Sequence, residues 1–262
     1  MINRPRFSLE TSSLCNRKCA TCVRQNYPHS ERIAPWFRQN LMAMEMIESL
    51  FQQLQGIGYV GPIGLNHYNE PLLDHRLPDI ASMARRMGFN SVRTITNGDY
   101  LSPEMASKLD GVLTTITVSL YDKRGRQQKS EWIQSLFTRT KVEFTQGLHR
   151  MTHGCREPST QERVQQARDL PCKRASINFI VNHQGDCLLC CEEMVPHFPL
   201  GNVFDTSLKE LWFEAERKEI IDTLRTPGGR RNYEYCMECP FTRSVARHLP
   251  VKEASDESVC SE

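Results

Sequence analysis

The sequence lacks a long apolar run. No stretch of its 262 residues approaches the roughly 20 consecutive apolar residues of a membrane-spanning helix, and no apolar segment follows the charged N-terminus as in a secretory signal. The 33 basic and 31 acidic residues nearly cancel, and a net charge of +2 attracts neither nucleic acid nor a membrane surface strongly. We therefore expect a cytoplasmic protein that has neither as its partner.

Cysteine, in contrast, is plentiful. Eleven cysteines would suggest disulfides in a secreted chain, but the export signal is missing and an odd number cannot all pair within one chain. In a reducing compartment, clustered thiols more often bind metal or carry out redox chemistry. Most of the cysteines fall into two groups, one near residue 20 and one between residues 172 and 239.

The first part of the chain alternates strand-like and helix-like stretches. The apolar and β-branched runs predict strands over residues 7–11, 60–65, 91–96, 114–120 and 141–145. Helical spacing predicts helices over residues 42–54, 77–87, 102–109 and 131–137. This alternation predicts an α/β fold, with a parallel sheet and helical crossovers.

The pattern changes after residue 155. Residues 157–166 are polar and typical of a linker. Apolar runs on both sides of Asn182-His183-Gln184-Gly185 predict a β-hairpin over residues 176–191. Residues 205–224 then predict one long amphipathic helix, which ends at Thr226-Pro227-Gly228-Gly229.

The first cysteine group has the spacing Cys15-x-x-x-Cys19-x-x-Cys22 and directly follows the first predicted strand. Three thiolates on one tight loop can hold three irons of a [4Fe–4S] cube and leave the fourth iron open. The alternative is a zinc site, which takes four protein ligands or three and a water, and which His29 could complete.

With this motif the sequence resembles the radical S-adenosylmethionine enzymes. The resemblance implies a partial (β/α)6 barrel of the TIM type and a cluster whose open iron binds S-adenosylmethionine. It implies that the cofactor is cleaved reductively to a 5′-deoxyadenosyl radical, with electrons from an external donor such as flavodoxin or ferredoxin.

The resemblance also assigns cofactor-binding residues at the carboxyl ends of the strands, where barrel active sites lie. These residues are Asn69, Glu70, Asn97, Ser119 and Arg150. Glu70 lies in Asn69-Glu70-Pro71-Leu72, where the family often has Gly-Gly-Glu-Pro, and it is expected to accept hydrogen bonds from the cofactor's ammonium group. The alternatives are a turn residue at Asn97, a strand cap at Ser119 and a surface charge at Arg150. Thr21 departs from the family, which usually has an aromatic residue before the third cysteine.

The second cysteine group resembles the SPASM and twitch extensions of that family. The resemblance rests on the segment 182–191, on Gly201-Asn202-Val203 and on Cys236-Met237-Glu238-Cys239-Pro240. Only Cys260 follows, so one auxiliary [4Fe–4S] cluster is expected rather than two. Its expected ligands are Cys172, Cys190, Cys236 and Cys239, with a structural zinc site as the alternative.

The choice of Cys190 rests on its place five residues after the turn glycine. Cys191 would point to the opposite face of the strand, and Cys187 and Cys155 are expected to be small buried apolar residues. The resulting domains are a barrel over residues 1–155, an auxiliary-cluster domain over 156–245 and a disordered tail over 246–262.

An auxiliary cluster with four protein ligands suits electron transfer. We therefore expect a two-electron oxidation, in which the radical abstracts hydrogen from the substrate and the auxiliary cluster takes the remaining electron. The architecture is similar to that of 2-deoxy-scyllo-inosamine dehydrogenase, and by that similarity Tyr68, Arg150 and Glu192 face the substrate. Glu192 would accept a hydroxyl proton, unless it is a solvated surface acid.

Two alternatives stay open from the sequence. One is a peptide-modifying maturase that acts on a peptide instead of a small molecule. The other is a non-catalytic iron–sulfur or zinc-binding protein, which would not need polar residues at the strand ends.

Overall fold

A computed structural model describes residues 5–19, 22–26, 40–122, 124–145 and 158–241. The predictions made for Thr21, His29, Arg150, Cys155 and Cys260, and for the tail over residues 246–262, lie outside the described residues.

Five parallel strands form the first part of the sheet. They are β1 (Arg6–Leu9), β2 (Ile63–Gly64), β3 (Val92–Thr96), β4 (Thr115–Ser119) and β5 (Lys141–Thr145). Each pairs in parallel with the next. The helices along this part are α1 (Val23–Asn26), α2 (Met44–Gly56), α3 (Leu77–Arg86), α4 (Pro103–Leu109) and α5 (Arg126–Ser135). The predicted α/β fold with a parallel sheet is confirmed.

The local patterns explain these elements. In β3, Val92, Thr94 and Thr96 are buried and alternate with exposed residues, which is the period of a strand with one face on the core. Helix α4 begins where the Ser102 hydroxyl accepts a hydrogen bond from the Met105 backbone N–H (3.1 Å), as predicted.

The predicted hairpin is confirmed, and it extends the same sheet. It consists of β6 (Asn178–Val181) and β7 (Cys187–Leu188), which are antiparallel to each other. Strand β6 pairs in parallel with β1, so the sheet order is β5-β4-β3-β2-β1-β6-β7. This order carries the segment with the second cysteine group next to the strand that precedes the first group.

Residues 157–166 were expected to form a linker, and this is wrong. They lie largely in α6 (Pro158–Ala167). Val164 and Ala167 are buried and three residues apart, so they form a narrow apolar stripe on an otherwise polar helix.

The single helix expected over residues 205–224 is also wrong, because the chain forms α7 (Leu208–Phe213) and α8 (Ala215–Leu224). Between them Glu214 has extended backbone angles (φ −57°, ψ 136°). Ala215 and Glu216, at the positions that would continue the apolar stripe of α7, are exposed.

Short helical turns complete the described structure. The 3₁₀ turns lie at Pro71–Leu73 in the first part of the chain and at Arg174–Ser176 and Gly229–Asn232 in the second, and the last short helix is α9 (Glu234–Met237). Among the described helices, none combines the length and the apolar character that crossing a membrane requires.

Candidate metal centres

The first cysteine group lies on the loop after β1. Cys15, Cys19 and Cys22 are all partly exposed, and the Cys22 backbone N–H donates to the Cys19 carbonyl (2.9 Å). Burial is the main cause that raises the pKa of Cys22 to about 11, and the charges of the Cys19 and Cys15 thiolates contribute to that rise. The three thiols are therefore close together and favour a positively charged partner, since metal ligands must lose their protons.

Charged side chains attach this loop to the neighbouring strands. Arg17, between two of the cysteines, donates to both carboxylate oxygens of Asp99 (2.5 and 2.7 Å) and to Asp122 (2.9 Å). Its guanidinium also lies over the Tyr121 ring, 4.9 Å from the centroid. Burial alone would raise the pKa of Asp99, but the hydrogen bond from Arg17 and others lower it to about 2. The cysteine loop is thus fixed to the residues that follow β3 and β4.

Glu70 is buried beside the same loop. Its backbone N–H donates to the Leu14 carbonyl (2.6 Å), next to the first cysteine. Its carboxylate accepts from the backbone N–H groups of Asn97 (2.7 Å) and Leu72 (3.1 Å) and from the Thr96 hydroxyl. Burial raises the pKa of Glu70, and these hydrogen bonds oppose that rise. Glu70 therefore joins the ends of β2 and β3 to the cysteine loop.

The structure brings other predicted cofactor residues to the same edge of the sheet. Asn69 and Asn97 are both buried, and the Asn97 side-chain amide donates to the Asn16 side-chain oxygen (2.8 Å) in the cysteine loop. Ser119 ends β4, where its hydroxyl accepts from the Thr145 hydroxyl (3.2 Å). Their roles toward a cofactor stay predictions.

The second cysteine group gathers residues that are far apart in sequence. Burial raises the pKa of Cys190, and the nearby Cys191, Cys239 and Cys236 thiols add to the rise. The pKa of Cys236 is raised by burial, by Cys239 and by Cys172. The four predicted ligands are thus brought together, with Cys191 next to them.

In a cubane cluster each thiolate binds a different iron, so the four sulfur atoms lie farther apart than the ligands of a single metal ion. Within the ranges that the structure describes, no three His, Cys, Asp or Glu side chains have the arrangement of a site for a single metal ion.

The two remaining cysteines of the hairpin have other surroundings. Cys187 is 2% exposed and packs in the hydrophobic core, where burial raises its pKa to about 12, so its predicted place as a buried apolar residue is confirmed. The Cys191 thiol accepts a hydrogen bond from Arg174, whose guanidinium also donates to the Glu192 carboxylate (2.8 Å).

Glu192 is 1% exposed, so the alternative of a solvated surface acid is wrong. The Arg174 guanidinium that pairs with it comes from a 3₁₀ turn two residues after Cys172. The structure therefore places Glu192 beside the second cysteine group, as predicted. Its contact with a substrate stays a prediction.

Tyr68 lies between the two cysteine groups. Its hydroxyl donates to the carbonyls of Cys191 (3.2 Å) and Glu192 (3.4 Å). Its own carbonyl accepts from Arg24 (3.1 Å), two residues after Cys22. Tyr68 is therefore hydrogen-bonded to segments that adjoin both cysteine groups. Its predicted contact with the substrate stays a prediction.

An apolar cluster surrounds this connection. Tyr68 packs against Val23, which follows Cys22, and against Met194 and Val195, which come shortly after Cys191. The neighbouring His67 ring contacts the Glu193 carbonyl (2.6 Å). Side chains from both loops therefore form one packed layer between the two groups.

Sequence reasoning missed several residues of the site, among them Arg17, Asp99, Arg174 and Glu193. Glu193 is fully buried, and burial raises its pKa to about 7, although it accepts three backbone hydrogen bonds. The only feature of the sequence that could have indicated these residues is their position near the cysteines. Arg17 lies inside the first motif, and Glu193 lies three residues after Cys190.

Comparison with known proteins agrees with this geometry. Residues 172–240 match the SPASM family, an iron–sulfur cluster-binding domain. This range contains all four predicted auxiliary ligands. No curated protein matches the chain by sequence.

Several solved structures have the same fold. BtrN in complex with AdoMet and 2-DOIA is 18% identical, with a TM-score of 0.68 over 91% of this chain and 94% of that one. AnSMEcpe with bound AdoMet and the Cp18Cys peptide is 14% identical, with a TM-score of 0.56 over 90% and 88% of the two chains. The chain thus has the fold of radical S-adenosylmethionine enzymes with a SPASM domain, and the resemblance found in the sequence is confirmed. The family match supports an iron–sulfur cluster in residues 172–240.

Proposed function

We propose that the protein is a radical S-adenosylmethionine oxidoreductase that removes two electrons from its substrate. The observation that carries this proposal is the pair of cysteine groups, of three and four thiols, joined through Tyr68. Three thiols suit a cluster with one open iron, and four suit a cluster closed to substrate.

When bound, the first cluster and S-adenosylmethionine would supply a 5′-deoxyadenosyl radical for hydrogen abstraction from the substrate, and the auxiliary cluster would supply an acceptor for the remaining electron. The chain's own residues prepare the place for this chemistry. Cys15, Cys19 and Cys22 would hold three irons, and the hydrogen bonds of Arg17 and Glu70 fix the loop that carries them.

Polar groups at the strand ends would bind the cofactor. Asn69, Glu70 and Asn97 converge beside the cysteine loop, and Ser119 lies farther along the same edge. Carboxylate and amide oxygens there suit an ammonium group, as charge-assisted hydrogen bonds are stronger than neutral ones. Arg150, which follows β5 in the sequence, is proposed to bind the cofactor as well.

Electron transfer to the second group is supported by the packed layer around Tyr68. We propose that this layer limits the access of water between the two groups, because a dry path favours transfer to the cluster over side reactions of a radical. Glu192, buried behind it, is proposed to hold the proton lost by a substrate hydroxyl. An external donor such as flavodoxin or ferredoxin would supply the first electron.

The substrate is proposed to be a small molecule. The fold agrees better with BtrN, whose structure holds 2-DOIA, than with anSMEcpe, whose structures hold peptides. The second candidate is a peptide-modifying enzyme, which the anSMEcpe likeness favours. Incubation of the reduced protein with amino-polyols or with peptides, followed by mass spectrometry, separates the two by a loss of two hydrogen atoms in one set.

Iron content tests the cluster assignment. After anaerobic reconstitution with iron and sulfide, the protein should hold about eight irons per chain, as two cubes require. Alanine variants of all cysteines in either group should hold about four irons. Zinc binding with no iron uptake would instead support the non-catalytic alternative.

A further inference from the structure

A turn with two glycines places an arginine inside the C-terminal segment. Gly228 has a left-handed backbone (φ 76°), and a Cβ at Gly229 would lie 1.9 Å from the Thr223 carbonyl oxygen. Only glycine allows the chain to return so closely along the end of α8. The next residue, Arg230, is 1% exposed and one of the largest fully buried side chains described.

The Arg230 guanidinium lies beside the Cys-x-x-Cys pair. It donates to the Phe241 carbonyl (2.8 Å), two residues after Cys239. The 3₁₀ turn that carries Arg230 leads directly into α9, which carries Cys236, and the backbone N–H of Tyr233 between them donates to the Arg230 carbonyl (3.2 Å). The charge of Arg230 acts on both the Cys236 and the Cys239 thiol. A permanent cation is therefore built into the wall next to two of the four proposed ligands.

A buried charge is costly unless something in its surroundings compensates for it. Removing a guanidinium from water costs free energy, because its charge loses the solvation that water provides. The neighbouring Arg231 shows the ordinary alternative, because it is exposed and pairs with Asp169 (2.6 Å) at the surface. Four thiolates around a cluster provide the negative charge that a buried arginine needs.

The same charge affects the redox chemistry of the cluster. A cluster with four thiolates becomes one unit more negative when it accepts an electron, and its potential depends on net charge, burial and hydrogen bonds. A fixed cation at short range therefore stabilises the reduced form more than the oxidised form.

We propose that Arg230 compensates the negative charge of the auxiliary cluster and raises its reduction potential, so that the cluster accepts an electron from the substrate. The inference rests on the proposed function. One electron leaves the substrate radical, with the loss of one proton, and reduces the auxiliary cluster from its 2+ to its 1+ state.

The experiment measures the midpoint potential of the auxiliary cluster by redox titration with electron paramagnetic resonance. Cys15, Cys19 and Cys22 are replaced by alanine so that only this cluster is seen. Arg230→Gln removes the charge and keeps a hydrogen-bond donor, Arg230→Lys keeps the charge, and Arg231→Gln removes an equal charge at the surface.

We expect Arg230→Gln to weaken electron uptake at least tenfold, which is a fall of 59 mV for a one-electron couple. Arg231→Gln should keep the parent potential, and Arg230→Lys should lie nearer to the parent than to Arg230→Gln. If Arg230→Gln cannot keep its cluster, retention by Arg230→Lys supports the same charge compensation.

An Arg230→Gln protein with a full cluster and the parent potential would overturn the inference. So would equal loss of the cluster from Arg230→Lys and Arg230→Gln. Failure of the proposed function looks different, because the parent protein would then bind no auxiliary cluster at all.

Discussion

At the scale of single residues, the ion pair between Arg17 and Asp99 fixes the loop of the first cysteine group. The motif Cys15-x-x-x-Cys19-x-x-Cys22 could be found in the sequence because its spacing is local. The pairing of Arg17 with Asp99 could not, since the two residues are 82 positions apart and meet only when β1 and β3 lie in one sheet. The role of Glu70 toward a cofactor stays a prediction, and its bonds to Asn97 and Leu14 also depend on that same sheet.

Arg17→Gln should loosen the loop without removing a cysteine. Hydrogen bonds between charged groups contribute on the order of 1–3 kcal/mol, so a chelator should extract iron from the first cluster several-fold faster. Arg93→Gln, at an exposed position of β3, is the control. Equal extraction rates in the two variants would show that the ion pair does not hold the loop.

Gly229→Ala should destabilise the fold. The added Cβ would lie 1.9 Å from the Thr223 carbonyl oxygen, and such overpacking costs about 1–3 kcal/mol. Gly56→Ala is the matched control, because nothing lies within 4 Å of that position and alanine is the better helix former. Urea unfolding should give a lower free energy of unfolding for the first variant only. A Gly229→Ala protein as stable as Gly56→Ala would contradict the packing of this turn.

At the scale of secondary structure, sequence periodicity was sufficient for the strands and for the hairpin. The strands are short runs in which apolar and β-branched residues recur, and in β3 the alternation of buried and exposed residues can be counted locally. The break between α7 and α8 was missed because a 3.6-residue pattern at 208–212 and another at 217–224 resemble one helix. Helix α6 was missed because its apolar stripe is narrow and depends on burial of Val164 and Ala167 in the fold.

The connection between α4 and β5 depends on one carboxylate. Asp110 accepts hydrogen bonds from the backbone N–H groups of Thr138, Arg139 and Thr140 (2.8–3.2 Å). Burial alone would raise the pKa of Asp110, but these bonds hold it well below its usual value of 3.8. Because the folded pKa is the lower one, Asp110 stabilises the fold above about pH 4, and this contribution is lost as the pH falls further.

Asp110→Asn should therefore lower the free energy of unfolding by on the order of 1–3 kcal/mol at pH 7, since a charged acceptor is lost. The deficit should stay constant down to pH 5 and shrink below pH 4. Urea unfolding at pH 7, 5 and 3.5 measures it, with Asp205→Asn at an exposed turn as the control. A deficit that is the same at all three pH values would contradict this role.

At the scale of the whole molecule, one sheet holds both cysteine groups. Strand β6 pairs with β1, so the segment with the second cysteine group is attached to the first five strands by main-chain hydrogen bonds as well as through Tyr68. The sequence indicated both groups but not their relation, because the placement of β6 beside β1 is a long-range pairing. The boundary predicted at residue 155 stays a prediction, and the sheet crosses it.

Tyr68→Phe tests how the two halves are joined. The variant keeps the apolar contacts but loses the hydroxyl bonds to the Cys191 and Glu192 carbonyls, each of which contributes about 0.5–1.5 kcal/mol. Hydrogen exchange followed by mass spectrometry should show up to about tenfold faster exchange in residues 190–195 and no change in β3 and β4. Tyr100→Phe, at a half-exposed tyrosine, is the control. Unchanged exchange in 190–195 would show that the hydroxyl does not couple the halves.

The formation of 5′-deoxyadenosine tests the central claim most directly. The reconstituted protein, with S-adenosylmethionine and a strong reductant, should form 5′-deoxyadenosine and methionine. The variant with alanine at Cys15, Cys19 and Cys22 should form neither and should keep about four irons in its auxiliary cluster. Formation of 5′-deoxyadenosine at the same rate in that variant, or none in a parent protein that holds both clusters, would contradict the account.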